Sequence, residues 1–214
     1  MQQEKQIRTA YILAIVTIVY NVAEGLVSVF YGISDDTLAL LGFGVDSFVE
    51  VLSGIGILHM IYRMKKAGIN DVVSRDRFEK QALRVTGTAF YLLVAGLLVG
   101  SVLKGIQGAK PETTLVGIII SVLSILTMYI LMKWKLNIGR KLNSNAIIAD
   151  ANCTRTCFYL SFILLASSAL YELFGISWLD IAGSLGIAWF AFREGRESFE
   201  KARSEEVLGC EDCE

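Results

Sequence analysis

Six apolar stretches run along the chain, near residues 9–31, 38–62, 85–106, 115–133, 145–171 and 178–193. Their lengths lie close to the roughly 20 residues an α-helix needs to cross a hydrocarbon core about 30 Å thick. In lipid the backbone has to satisfy its own hydrogen bonds, so such stretches fold as helices or not at all. The composition agrees: 54% of the 214 residues are apolar and 19% charged, with one proline against nineteen glycines. Soluble domains carry nearer a quarter charged residues, so a water-soluble enzyme of this size is disfavoured. The first stretch is too long for the apolar part of a cleaved signal peptide and is followed at once by a second span, so it reads as a permanent helix. The formal net charge of −1 gives no electrostatic footprint for nucleic acid. With no Gly-rich phosphate loop, nucleotide binding and ATP-driven pumping are not expected either.

The predicted fold class is therefore an all-α membrane protein with six transmembrane helices. Lys and Arg are retained on the cytoplasmic side of a membrane. With the N-terminus inside, seventeen of them fall in inner segments, only Lys104 and Lys110 fall outside, and Arg155 lies within a helix. Lys133 and Lys135 are counted here in the inner loop after the fourth span. This asymmetry places both termini in the cytosol. The expected organisation is a cytosolic N-terminus over 1–8, a six-helix transport domain over 9–193 and a cytosolic tail over 194–214. The segment 63–84 reads as a partly helical connector at the membrane surface.

Charged side chains at the middle of a span cost roughly 2.5–3.5 kcal/mol on insertion scales, so each asks for a partner or a task. They fall on helices one, two, five and six, as Glu24, Asp46, Glu50, Asp150, Arg155 and Asp180, with Asn21 as an uncharged companion. Helices three and four are expected to be nearly free of them apart from Lys104. Asp46 and Glu50 are four residues apart, on one helix face. Two carboxylates so placed repel each other unless a cation or a proton lies between them. Cys153 and Cys157 repeat the spacing in helix five. At about 1.5 Å per residue, counting from the two membrane boundaries puts Asp46 level with Cys157 and Glu50 level with Cys153 if the helices are neighbours.

Two carboxylates and two thiolates facing one another suit a tetrahedral ion such as Zn²⁺. Sulfur ligands favour Zn²⁺ or Cd²⁺ over Mg²⁺, Ca²⁺ and Mn²⁺. Thiols and carboxyls must lose protons to bind metal, so loading releases protons and reprotonation assists release. That linkage is what proton-coupled antiport requires of a site. The predicted metal ligands are thus Asp46, Glu50, Cys153 and Cys157, with the ion as cargo.

At these residues the chain resembles the cation diffusion facilitators, six-helix exporters of zinc and other divalent metals. Helix two of that family carries two ligands with three residues between them in a Ser-x-Ala-Leu setting. The run Thr37-Leu38-Ala39-Leu40 leading to Asp46-Ser47 and Glu50 is similar. In helix five the family has Ala-Asp, then a His, three residues and an Asp. Here Ala149-Asp150 is followed by Cys153 and Cys157 at those positions. A short bacterial branch without the family's cytosolic C-terminal domain is closer. It resembles Tyr20-Asn21-Val22-Ala23-Glu24-Gly25, Gly42-Phe43-Gly44-Val45-Asp46-Ser47, Cys157-Phe158-Tyr159-Leu160-Ser161, Arg193-Glu194-Gly195-Arg196-Glu197 and the cysteine-bearing tail. The resemblance implies efflux of Zn²⁺ or a similar ion in exchange for H⁺ by alternating access, as a homodimer, in a bacterial inner membrane. Without the cytosolic domain, dimerisation would have to use the helices themselves.

Asn21, Glu24, Asp150 and Asp180 are read as supporting or proton-path groups, with interhelical hydrogen bonding the favoured account of Asp180. Arg155 is turned away from Cys153 on its helix, toward Glu24 or a second subunit, and His59 points away from the acidic pair. Cys210 and Cys213 form a Cys-x-x-Cys that either captures metal in the cytosol or lies in a disordered end. Two other functions fit the residues: a membrane-embedded thiol redox protein, and a non-transporting metal sensor or assembly subunit with the same fold. An i, i+4 cysteine pair on a regular helix has poor geometry for a disulfide, which counts against the first.

Overall fold

The computed structural model describes residues 2–67, 72–107, 111, 114–142, 145–176 and 178–203. They form six helices: α1 (Gln2–Ser34), α2 (Leu38–Ala67), α3 (Val72–Gln107), α4 (Leu115–Lys141), α5 (Asn145–Phe174) and α6 (Trp178–Arg203). No strand occurs among the described residues. The single proline, Pro111, lies between α3 and α4, where a missing N–H and a fixed φ cost no helical hydrogen bond.

Five of the helices, α1 to α5, are long and apolar enough to cross a membrane by length and composition. Helix α6 has the length but carries Asp180, Arg193 and Glu194 within its first five turns. One of these charges is cancelled in place: Asp180 is buried and paired with Lys104 of α3 at 3.1 Å. The charged run from Arg193 to Arg203 is what makes α6 the most polar of the six. The apolar surface lies outward, with Ile106, Leu92, Leu173 and Trp189 all exposed. That inversion of an ordinary globular surface is what lipid as solvent requires. The chain is an all-α multi-pass membrane protein.

Several helices overrun the stretches predicted for them. Helices α2 and α3 occupy most of the segment 63–84 assigned to a connector, and α6 continues to Arg203, past the expected end at 193. Helix α4 does not stop at 133 either. It runs to Lys141, so Lys135 is an interior residue of a helix and not part of a cytosolic loop. The inner-loop count of Lys135 is corrected on this point.

The most extensive pairings are α1 with α2, α4 with α5 and α3 with α6. The α1–α2 turn is tight, with Asp36 in the left-handed region at φ 50. Close approach there depends on glycine: a Cβ on Gly32 would lie 2.6 Å from the backbone N of Leu41, and one on Gly44 2.8 Å from the Cβ of Ser28. Two apolar layers fill the bundle. The larger includes Ala39, Leu40, Phe43, Leu97, Leu160, Leu164 and Ile187. The smaller, at the opposite end, joins Ala10, Ala14 and Ile147 with Ile57, Leu58, Ile138 and Leu142. Along α2 and α5 the sequence positions of Asp46, Glu50, Asp150 and Cys157 fall between these two layers.

Candidate metal centre

Helix α2 presents Asp46 and Glu50 one turn apart, 2% and 4% exposed, and α5 presents Thr154 and Cys157 to them. The two helices meet at the carboxylates. The thiol of Cys157 donates to Oδ2 of Asp46 at 3.3 Å, and the hydroxyl of Thr154 donates to Oε1 of Glu50 at 3.0 Å. Glu50 stands close enough to both Asp46 and Cys157 to interact with their charges. Its second oxygen, Oε2, is buried with no hydrogen-bond partner. Depth counting predicted Asp46 level with Cys157, and these two are in contact. Glu50, expected opposite Cys153, meets its neighbour Thr154.

Cys153 is half-buried, a turn from Cys157 and near enough to Lys135 to feel its charge. Neither cysteine is in a disulfide. As the side chains stand, no three His, Cys, Asp or Glu among the described residues are grouped so as to hold an ion. Cys157 and Asp46 are in contact, while Oε1 of Glu50 is turned to Thr154.

Lys135 was missed by sequence reasoning and is central. Its ammonium, 2% exposed, pairs with Oδ2 of Asp150 at 2.8 Å and donates to the Thr154 hydroxyl at 2.9 Å. Thr154 thus accepts from Lys135, and its one proton serves Glu50 or the carbonyl of Asp150, which lies at 3.2 Å. The network runs Asp150, Lys135, Thr154, Glu50 across α5, α4 and α2. A signal was present in the sequence. The buried face of α4 runs Ser121, Ser124, Met128, Leu131, Lys135, Gly139 at helical spacing, and continuing that stripe turns Lys135 inward.

The remaining candidates separate by partner. Glu24 accepts from the Tyr20 hydroxyl at 2.9 Å and from the Ser47 hydroxyl at 3.0 Å, next to Asp46 in sequence. Arg155 is exposed on α5 and is not among these partners, so the suggested pairing with Glu24 is replaced by hydroxyls. Asn21 is fully buried, and neither amide atom has a hydrogen-bond partner. Asp180 accepts from the backbone N–H groups of Leu38 and Ala39 at 3.0 and 3.1 Å, capping α2 while it pairs with Lys104. It sits two turns from Asp46 along α2 and works as a helix anchor, with an anion at a helix N-terminus favoured by the helix dipole. Glu194, within the shared Arg-Glu-Gly-Arg-Glu segment, accepts from Thr156 at 2.8 Å. Cys210 and Cys213 lie outside the described residues.

Comparison with known proteins agrees with this architecture. The chain is 29% identical over 183 residues to the uncharacterized transporter MJ0449 of Methanocaldococcus jannaschii, covering 83% of this chain and 64% of that protein's length. Residues 14–205, from the fourth turn of α1 to just beyond α6, match the cation efflux transmembrane domain. The chain belongs to the cation efflux, or cation diffusion facilitator, family.

Proposed function

We propose that this chain exports a divalent cation, Zn²⁺ or Cd²⁺, in exchange for protons by alternating access, with Asp46, Glu50, Cys153 and Cys157 as ligands. The observation that carries the reading is the Asp46–Cys157 contact, which brings an acid of α2 and a thiol of α5 together in a buried space beside Glu50. A borderline or soft ion suits that donor set. The unengaged Oε2 of Glu50 is an acceptor already free for a cation. Binding replaces the Cys157 proton by metal and draws Cys153 in, so cargo uptake and proton release are one event. Both termini lie in the cytosol of a bacterial inner membrane on this reading, and two copies pair through their helices. Membership of a cation efflux family and likeness to a protein described as a transporter support the direction.

Proteoliposomes with an imposed pH gradient test it. Zn²⁺ uptake is expected to collapse by at least tenfold in a double Asp46→Ala and Cys157→Ala variant. Uptake equal to that of the unsubstituted chain would overturn the site, and Mn²⁺ preferred over Zn²⁺ would overturn the role of sulfur.

A further inference from the structure

We infer that Lys135 is the resident counter-cation of the transport site: an ammonium fixed in the chain that balances the buried carboxylates between cargoes and weakens dication binding by its charge. The inference rests on the site proposed above and adds to it a residue that sets affinity without touching the cargo.

Three observations carry it. The ammonium is fully enclosed on α4 and bound both to Asp150 and to Thr154, so it is one hydroxyl away from Glu50. Asp150 engages it through Oδ2 alone, and Oδ1 of Asp150 is buried with no partner. The other buried lysine among the described residues, Lys104, is engaged at a different end of the bundle by Asp180 and by the backbone carbonyl of Asp36. Stability alone does not call for a charge at 135, since a buried ion pair is commonly matched or exceeded by apolar side chains of similar volume.

The physics follows from sign and distance. In a poorly polarisable interior a unit charge this near a binding site acts strongly on a dication. With the site empty, the ammonium offsets the carboxylates and Thr154 holds Glu50 by Oε1, leaving Oε2 toward the cargo. With the site filled, the same charge repels the ion and assists its departure. Lys135 is therefore a positioning residue: it orients Glu50 through Thr154 and tunes affinity through space.

The test is Zn²⁺ binding to the purified full chain in detergent at one fixed pH, with uptake measured in liposomes. Lys135→Met is expected to bind Zn²⁺ roughly tenfold or more tightly, with a lower KM and a lower maximal uptake, because tightly held cargo leaves slowly. Asp150→Asn, which leaves the ammonium unbalanced, is expected to bind more weakly by a similar factor. Lys135→Arg and the neutral pair Lys135→Met with Asp150→Asn are expected to bind as the unsubstituted chain does. Opposite shifts in the two single variants are not the signature of a structural role, which would weaken both. Should Lys135→Met fail to fold, the Asp150→Asn and paired variants still decide. Affinity lowered in the paired variant, or unmoved in Asp150→Asn, overturns the inference, as does unchanged or weaker Zn²⁺ binding by a folded Lys135→Met. An unsubstituted chain that does not bind Zn²⁺ overturns the site itself, and this inference with it.

Discussion

At Glu50 the two carboxylate oxygens have different surroundings: Oε1 accepts from Thr154, and Oε2 is buried and unengaged. A buried acceptor left unpaired costs about 1–3 kcal/mol, and Oδ1 of Asp150 in the same network is also buried without a partner. Thr154→Val keeps the shape and removes the hydroxyl that joins Lys135 to Glu50. It is expected to lower stability by about 1–3 kcal/mol, whereas Thr154→Ser stays near the unsubstituted chain; thermal unfolding of the two in one detergent compares them. Cys157 makes a prediction of another kind. Its thiol proton must leave for sulfur to bind metal, so adding Zn²⁺ to weakly buffered protein is expected to release protons. Cys157→Ala is expected to release fewer per ion bound. Equal release from both would mean that the protons come from elsewhere.

Between elements, packing is decided by a few anchors. Asp180 holds the N-terminus of α2 by two backbone N–H groups and holds α3 through Lys104, so one carboxylate ties three helices. Removing one partner of a buried pair leaves an uncompensated charge, at a cost of about 3–5 kcal/mol. Asp180→Ala is therefore expected to destabilise strongly. The pair Asp180→Asn with Lys104→Met is expected to regain most of the loss, because it leaves no charge behind; unfolding midpoints of the single and double variants test this. At the α1–α2 turn, a methyl group on Gly32 meets backbone, not a side-chain tip. Gly32→Ala is expected to cost about 1–3 kcal/mol by forcing the helices apart, read as a lower unfolding midpoint.

For the whole molecule, two apolar layers flank a buried polar seam. On the alternating-access reading we propose, each layer would open in turn. The orientation we propose is testable by labelling. A membrane-impermeant thiol reagent added outside intact cells is expected to reach a cysteine placed at Asp36 and not one placed at Lys5. The reverse pattern would invert the topology.

Much of this was present in the chain itself. Hydrophobic length fixed helices as the only structure available, because lipid offers the backbone no other partner. The i, i+4 spacing put Asp46 with Glu50 and Cys153 with Cys157 on their respective faces, and rise per residue set Asp46 level with Cys157. Spacing says nothing about which helix faces which, or where a helix stops. Only the tertiary structure paired Lys135 with Asp150, because α4 continues beyond its apolar run and Asp150 lies across from it. Only the structure made Thr154 the partner of Glu50, and Asp180 the cap of α2. Those contacts join residues 104 and 142 positions apart. Local periodicity carries no information at such separations. A buried charge is tolerated only where a distant opposite charge or hydrogen-bond donor meets it, and that meeting is decided when the helices pack.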